Sequence, residues 1–169
     1  RIRNFQVLCF AGGVCGLLAC SFAILQGVPI SPAMVFIVSR TSAFFAFPLL
    51  LRTKLALKAP SVISLCWMGR ILFVTAFNYG GLSSPALPWF GAVPILAYYY
   101  LRQCERMAVL GFLALGLVMM AVMNLAGYTF ETNIPPDLTA TIYLGSTLSA
   151  LVFIGAITHI FISLSRRSY

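Results

Sequence analysis

Carboxylates are nearly missing from this sequence: Glu105, Glu131 and Asp137 are the only three among 169 residues, and charged residues of both signs reach just 8%. A soluble domain needs roughly a quarter of its residues charged to cover its surface. With 61% hydrophobic residues and a mean hydropathy of +0.99, this chain cannot cover itself, so its solvent must be lipid. The same scarcity excludes several functions. No apolar run holds Asp or Glu, which leaves a transmembrane proton relay without its usual groups. His159 is the only histidine, so a bis-histidine haem site within this chain is ruled out and His159 reads as an interfacial or packing residue. The five cysteines (Cys9, Cys15, Cys20, Cys66 and Cys104) are odd in number and lack CxxC spacing, which supports neither a disulfide framework nor a zinc site. They read as small hydrophobes within or beside apolar runs. There is no phosphate-cradling Gly-rich loop, no Ser/His/Asp set and no metal-ligand cluster. The chain as given is therefore expected to be no enzyme, with no catalytic residue, metal or cofactor. Its formal charge of +8 is spread at intervals rather than clustered among aromatics, which argues against nucleic acid as a partner.

What the sequence has in abundance is long apolar runs. Crossing the hydrocarbon takes about 20 residues of helix, and six stretches qualify: 5–26, 32–51, 61–79, 86–101 (the shortest), 107–127 and 139–163. Strand-like alternation of apolar and polar residues is absent, so a β-barrel does not fit. The expected fold is an all-α membrane protein, a six-transmembrane-helix bundle forming one domain over residues 1–169. No internal repeat is visible, which weakens a transporter reading.

The charges set a direction. Arg1, Arg3, Arg52, Lys54, Lys58, Arg102, Arg106, Arg166 and Arg167, nine of the eleven basic residues, fall at one set of helix ends. The opposite loops, 27–31, 80–85 and 128–138, carry none, and the last of them holds Glu131 and Asp137. The positive-inside rule then puts both termini in the cytoplasm, with Tyr79 and Trp89 near the outer interface.

Arg40 and Arg70 are the two basic residues left over, and each sits near the middle of a span. Arginine at that depth is costly and normally turns inward toward a partner. No carboxylate is available, so two readings stay open. The pair is either structural, solvated by carbonyls, hydroxyls and water, or it forms an internal site for a carboxylate or phosphate head group. Helical spacing sets Phe36, Phe44 and Phe47 on the face of Arg40, and Cys66, Val74 and Phe77 on that of Arg70. The expectation is that both guanidiniums face inward, toward the fourth span, and share one cavity. That fourth span contains Pro94, which should kink it, while Pro85 and Pro88 suit a helix start. Short, Pro-interrupted spans point to binding sites in membrane proteins, although a plain structural kink is the simpler account. Gly12 and Gly16, and Gly145 and Ser149, form small-xxx-small pairs that allow close helix contact within the bundle or across a dimer.

The stretch 78–101, N-Y-G-G-L-S-S-P-A-L-P-W-F-G-A-V-P-I-L-A-Y-Y-Y-L, resembles the N-terminal six-helix membrane sensor regions of bacterial sensor histidine kinases. Their G-G-x-x-S-P-x-x-x-W-x-x-x-x-P-x-x-A pattern is matched at Gly80, Gly81, Ser84, Pro85, Trp89, Pro94 and Ala97. Similar six-helix anchors precede some class III nucleotide cyclases. The resemblance implies a signal-input domain in the bacterial inner membrane. It would be dimeric and embedded in the lipid bilayer, taking a lipophilic or anionic small-molecule ligand and coupling through its sixth helix to a cytoplasmic kinase expected after residue 169. Arg40, Arg70, Phe44, Phe77, Asn78, Trp89 and Pro94 are the candidate ligand-binding residues. The rival readings are an organic-anion transporter, or a subunit of one, and a passive dimerising anchor of a cyclase.

Overall fold

The computed structural model describes residues 2–50 and 58–166. The second stretch's expected end at Leu51 and the basic residues Arg1, Arg52, Lys54 and Arg167 lie outside them. The first helix, α1, spans Ile2–Leu25 and is closed by Gly27, whose φ of 96° suits glycine. Ser31 then caps α2, Pro32–Ser42, its Oγ accepting the Met34 N–H at 3.2 Å, and Pro32 takes the first turn, where a missing donor costs nothing. Before Pro48 the chain tightens into a 3-10 turn, Ala43–Phe45, because proline cannot donate to the Phe44 carbonyl; it then resumes as α3, Phe47–Leu50. Next come α4, Lys58–Asn78, and a 3-10 turn at Gly81–Ser83. They are followed by α5, Leu87–Phe90, and α6, Ala92–Tyr100. Glu105 reaches back to the Arg102 backbone N–H at 2.8 Å to start α7, Gln103–Leu125, and α8, Thr139–Arg166, completes the chain.

Helix is the dominant structure and no strand occurs among the described residues, apart from one isolated bridge between Tyr79 and Thr132. Five helical segments are long and apolar enough to cross a membrane: Phe5–Leu25, Pro32–Leu49, Ala59–Asn78, Gln103–Leu125 and Thr139–Ser163. The described residues are thus mostly helical, and the chain has the build of a multi-pass membrane protein.

The fourth stretch, 86–101, departs from expectation. It is two short helices meeting at Gly91, not one kinked span. Pro94 lies in the first turn of α6. Lacking an N–H, it cannot bond the Phe90 carbonyl, and its ring crowds that carbonyl, so the break falls just ahead of the proline. Despite its shortness this stretch is the centre of the bundle. α6 packs on α4, α7 and α8, and α5 on α4 and α8. Ala92, Val93, Leu96 and Ala97 are at most 2% exposed. α1 packs on α2 and α8, and α2 packs on α4. Phe5 and Phe161 both meet the Tyr100 ring, at 6.3 and 5.2 Å between centroids, so α1 begins and α8 finishes at the same end of the bundle.

The small residues are used inside this chain. A Cβ on Gly16 would lie 2.5 Å from the Thr41 methyl, and one on Gly145 would lie 2.9 Å from the Phe22 ring. Gly16 thus admits α2 against α1, and Gly145 admits α1 against α8.

Candidate functional site

The residues singled out by sequence fall into two groups. The first is built around Trp67, which sequence reading passed over. Arg40 leaves α2 toward that helix's N-terminus, as helical side chains do, and its guanidinium carbon lies 5.0 Å from the Phe36 ring and 5.1 Å from the Trp67 ring. Arg70, three residues beyond Trp67 on α4, places its own guanidinium 6.0 Å from the same indole. Trp67 Nε1 donates to the Arg40 carbonyl at 3.0 Å, locking the indole to α2. Phe47 meets Trp67 edge-on at 6.0 Å and Phe44 meets Phe47 at 5.4 Å, with both phenylalanines buried. The 3-10 turn before Pro48 is what turns these rings toward the indole.

The inward orientation expected of both arginines does not hold for Arg70. Arg40 is half-buried, whereas Arg70 is exposed on the flank between α2 and α4 instead of pointing at the fourth span. Helix periodicity supplies the reason. A Cβ on Gly69 would meet Leu113 and Phe112 of α7, at 3.3 and 3.4 Å, so the next residue is rotated by about 100° away from the bundle. What joins the two cations is the shared indole, which bounds their separation by the sum of their two ring distances. The apolar cavity the structure does contain lies elsewhere. It is a crevice of about 100 Å³ between α1 and α8, lined by Leu8, Cys15, Tyr100, Phe153 and Phe161 among others.

Magnitudes separate the two arginines. Among the described residues neither guanidinium has a hydrogen bond or an ion pair. Each cation–ring contact returns roughly 0.5–2 kcal/mol, against roughly 2.5–3.5 kcal/mol for an arginine at the centre of a span. Arg40, with two rings, comes close to balance. Arg70, with one ring at the far limit of such contacts, does not.

The second group is the matched motif. Gly80 and Gly81 have φ of 102° and 60°, and a Cβ on Gly81 would lie 2.2 Å from the Phe130 ring. Only glycine fits a left-handed turn pressed against an aromatic face. This turn is stitched to the 128–138 loop: Gly80 N–H donates to the Glu131 carbonyl at 2.9 Å, and Asn133 Nδ2 to the Asn78 carbonyl at 3.2 Å. Asn78 and Phe77 therefore belong to the loop end, with Phe77 against Phe130 at 5.2 Å, well removed from Arg70. Ser84, fully buried, accepts the Ala86 N–H at 3.2 Å. The Pro85 carbonyl accepts the Ser146 hydroxyl of α8. Trp89 is buried and packs on Phe153 of α8 at 5.3 Å. Tyr79 is likewise turned inward, its hydroxyl 3.4 Å from that of Ser31. The motif thus fastens the broken central segment to the last helix.

No group of three or more His, Cys, Asp or Glu residues placed to hold a metal occurs among the described residues. Searches of protein-family models, of curated proteins and of solved structures each return no match to the chain.

Proposed function

We propose that this chain is the membrane-embedded signal-input domain of a bacterial sensor histidine kinase. It would cross the inner membrane six times with both ends in the cytoplasm, act as a dimer, and respond to a lipophilic or amphiphilic signal. The observation that carries the reading is the packing of the Gly-Gly-x-x-Ser-Pro motif and Trp89 on α8, through Pro85 with Ser146 and Trp89 with Phe153. A disturbance of the broken central segment then has a direct mechanical route to the helix that leaves the bundle at its basic end. Carriage of an organic anion past Arg40 and Arg70 is the weaker alternative, because Arg70 is exposed on the outer side of α4.

Three measurements test this. The gene should continue beyond Tyr169 into heptads and a kinase core; a stop codon there favours the transporter. In that longer protein, Trp89→Ala should change basal autophosphorylation severalfold at equal membrane abundance. An indifferent kinase would leave the domain as a passive anchor. Reporter fusions after Lys58 and Arg106 should read cytoplasm, and fusions after Gly81 and Asn133 the outside; the reverse pattern overturns the orientation.

A further inference from the structure

We infer that the α2–α4 flank binds a long-chain carboxylate from within the bilayer, its head on Arg40 and Arg70 beside Trp67 and its tail along α4. This deepens the sensor reading by naming the class of ligand.

Three observations converge on it. The first is charge. Arg70 is exposed with one distant ring for company, Arg40 is set over that same ring, and the two cations repel unless an anion joins them. A second copy of the chain offers no carboxylate at that depth, because Glu131 and Asp137 lie outside the spans and Glu105 is the third residue of Gln103–Leu125, and its flank would bring two more guanidiniums.

The second is depth. Arg40 and Arg70 each stand eight residues, about 12 Å of helix, from the loop-side ends Pro32 and Asn78. A phospholipid phosphate, tied to glycerol and two chains, remains in the headgroup layer above that level. A single-chain acid enters hydrocarbon in its neutral form at little cost. Beside two guanidiniums it is held as the carboxylate, since nearby positive charge favours the ionised form. Arginine's planar fork grips a carboxylate through two parallel hydrogen bonds.

The third is the path for the tail. Helical side chains lean toward the N-terminus of their helix. From Arg70 that direction leads past half-buried Trp67 and Cys66 to Ile63, 44% exposed and two turns away on the same face. This stripe is apolar and runs along the lipid side of α4.

The test uses the 169-residue chain in nanodiscs of zwitterionic phospholipid, with stearate brominated at mid-chain as both ligand and quencher. Trp67 and Trp89 are the only indoles. Quenching should saturate, unlabelled oleate should reverse it, and Trp67→Phe should remove the saturable part. Arg70→Gln and Arg40→Gln should each raise the half-quenching concentration about tenfold or more, the loss expected when a charge-assisted pair is removed. Arg70→Lys should fall between, keeping the charge but not the fork. The equally brominated alcohol, with the same tail and no carboxylate, should show only unsaturable partitioning. Saturation by the alcohol at the same concentration overturns the inference. So does equal saturation by a brominated anionic phospholipid, or an unshifted midpoint in Arg70→Gln, whose exposed site carries no packing role that would unfold the chain. Binding without any effect on kinase output in the longer protein would sink the sensor reading and leave this inference standing. A responsive kinase whose input domain fails to bind the brominated acid would do the reverse.

Discussion

The two halves of the bundle solve opposite problems. Around α6 the chain is short and broken, yet it is the best-buried part of the molecule: Val93 and Ala97 are wholly enclosed. Along the α2–α4 flank the helices are longer, yet they carry the two mid-span cations, and one of these is exposed. In lipid, apolarity by itself drives no helix to the centre, because lipid tails are as apolar as leucine. Close packing does, and it favours a segment that sets Ala92, Val93 and Ala97 against its neighbours over one carrying arginine. The broken helix therefore fills the middle, while the charged face is left at the edge, within reach of something from outside.

The contrast can be tested by substitution, beginning with the largest effect. Gly81→Val should prevent correct folding, since it combines a left-handed backbone with a ring already where the side chain would go. Strain and overpacking together amount to about 3 kcal/mol or more, which should appear as loss of monodisperse protein in detergent. Ala97→Leu, in the enclosed centre, should cost roughly 1–3 kcal/mol and lower the thermal midpoint by several degrees. The same change at Ala114, on the exposed side of α7, should stay within about 0.5 kcal/mol. Equal shifts at the two positions would erase the distinction between centre and flank. Trp67→Leu should cost about 1–3 kcal/mol through two lost cation–ring contacts and the lost indole hydrogen bond to the Arg40 carbonyl. Adding Arg70→Leu to it should cost nothing further, because that arginine has no other described partner; a further loss would reveal one. Smallest of all, Pro94→Ala should move the midpoint by no more than the shift from about 1 kcal/mol, since Gly91 and the packing against α4 and α8 would still hold the break.

Particular residues mark how far local reasoning reached. The stacking of Arg40 on Phe36 was legible because residues four apart on a helix share a face, whatever lies around them. The disruption of the fourth stretch was legible from Pro94, and only its form, two helices meeting at Gly91, was missed. Trp67 was missed because its role depends on α2: its indole nitrogen bonds the backbone of Arg40, 27 positions away in sequence, and no spacing rule reports such a bond. Trp89 and Tyr79 looked interfacial by position in the chain. Their side chains are turned inward, against Phe153 and Ser31, whose nearness the sequence does not encode locally.

By itself, then, the sequence determined the apolar composition, the helical build, the places where helices start and break, and the positions of the two arginines within their spans. Each of these follows from composition, the 1.5 Å rise and the chemistry of single residues. Only the tertiary structure decided which helix took the centre and which arginine faced outward. A helix can turn about its axis without changing its own hydrogen bonds, so its facing is set by neighbours: Leu113 and Phe112 closing on Gly69, Phe130 on Gly81, and Thr41 on Gly16.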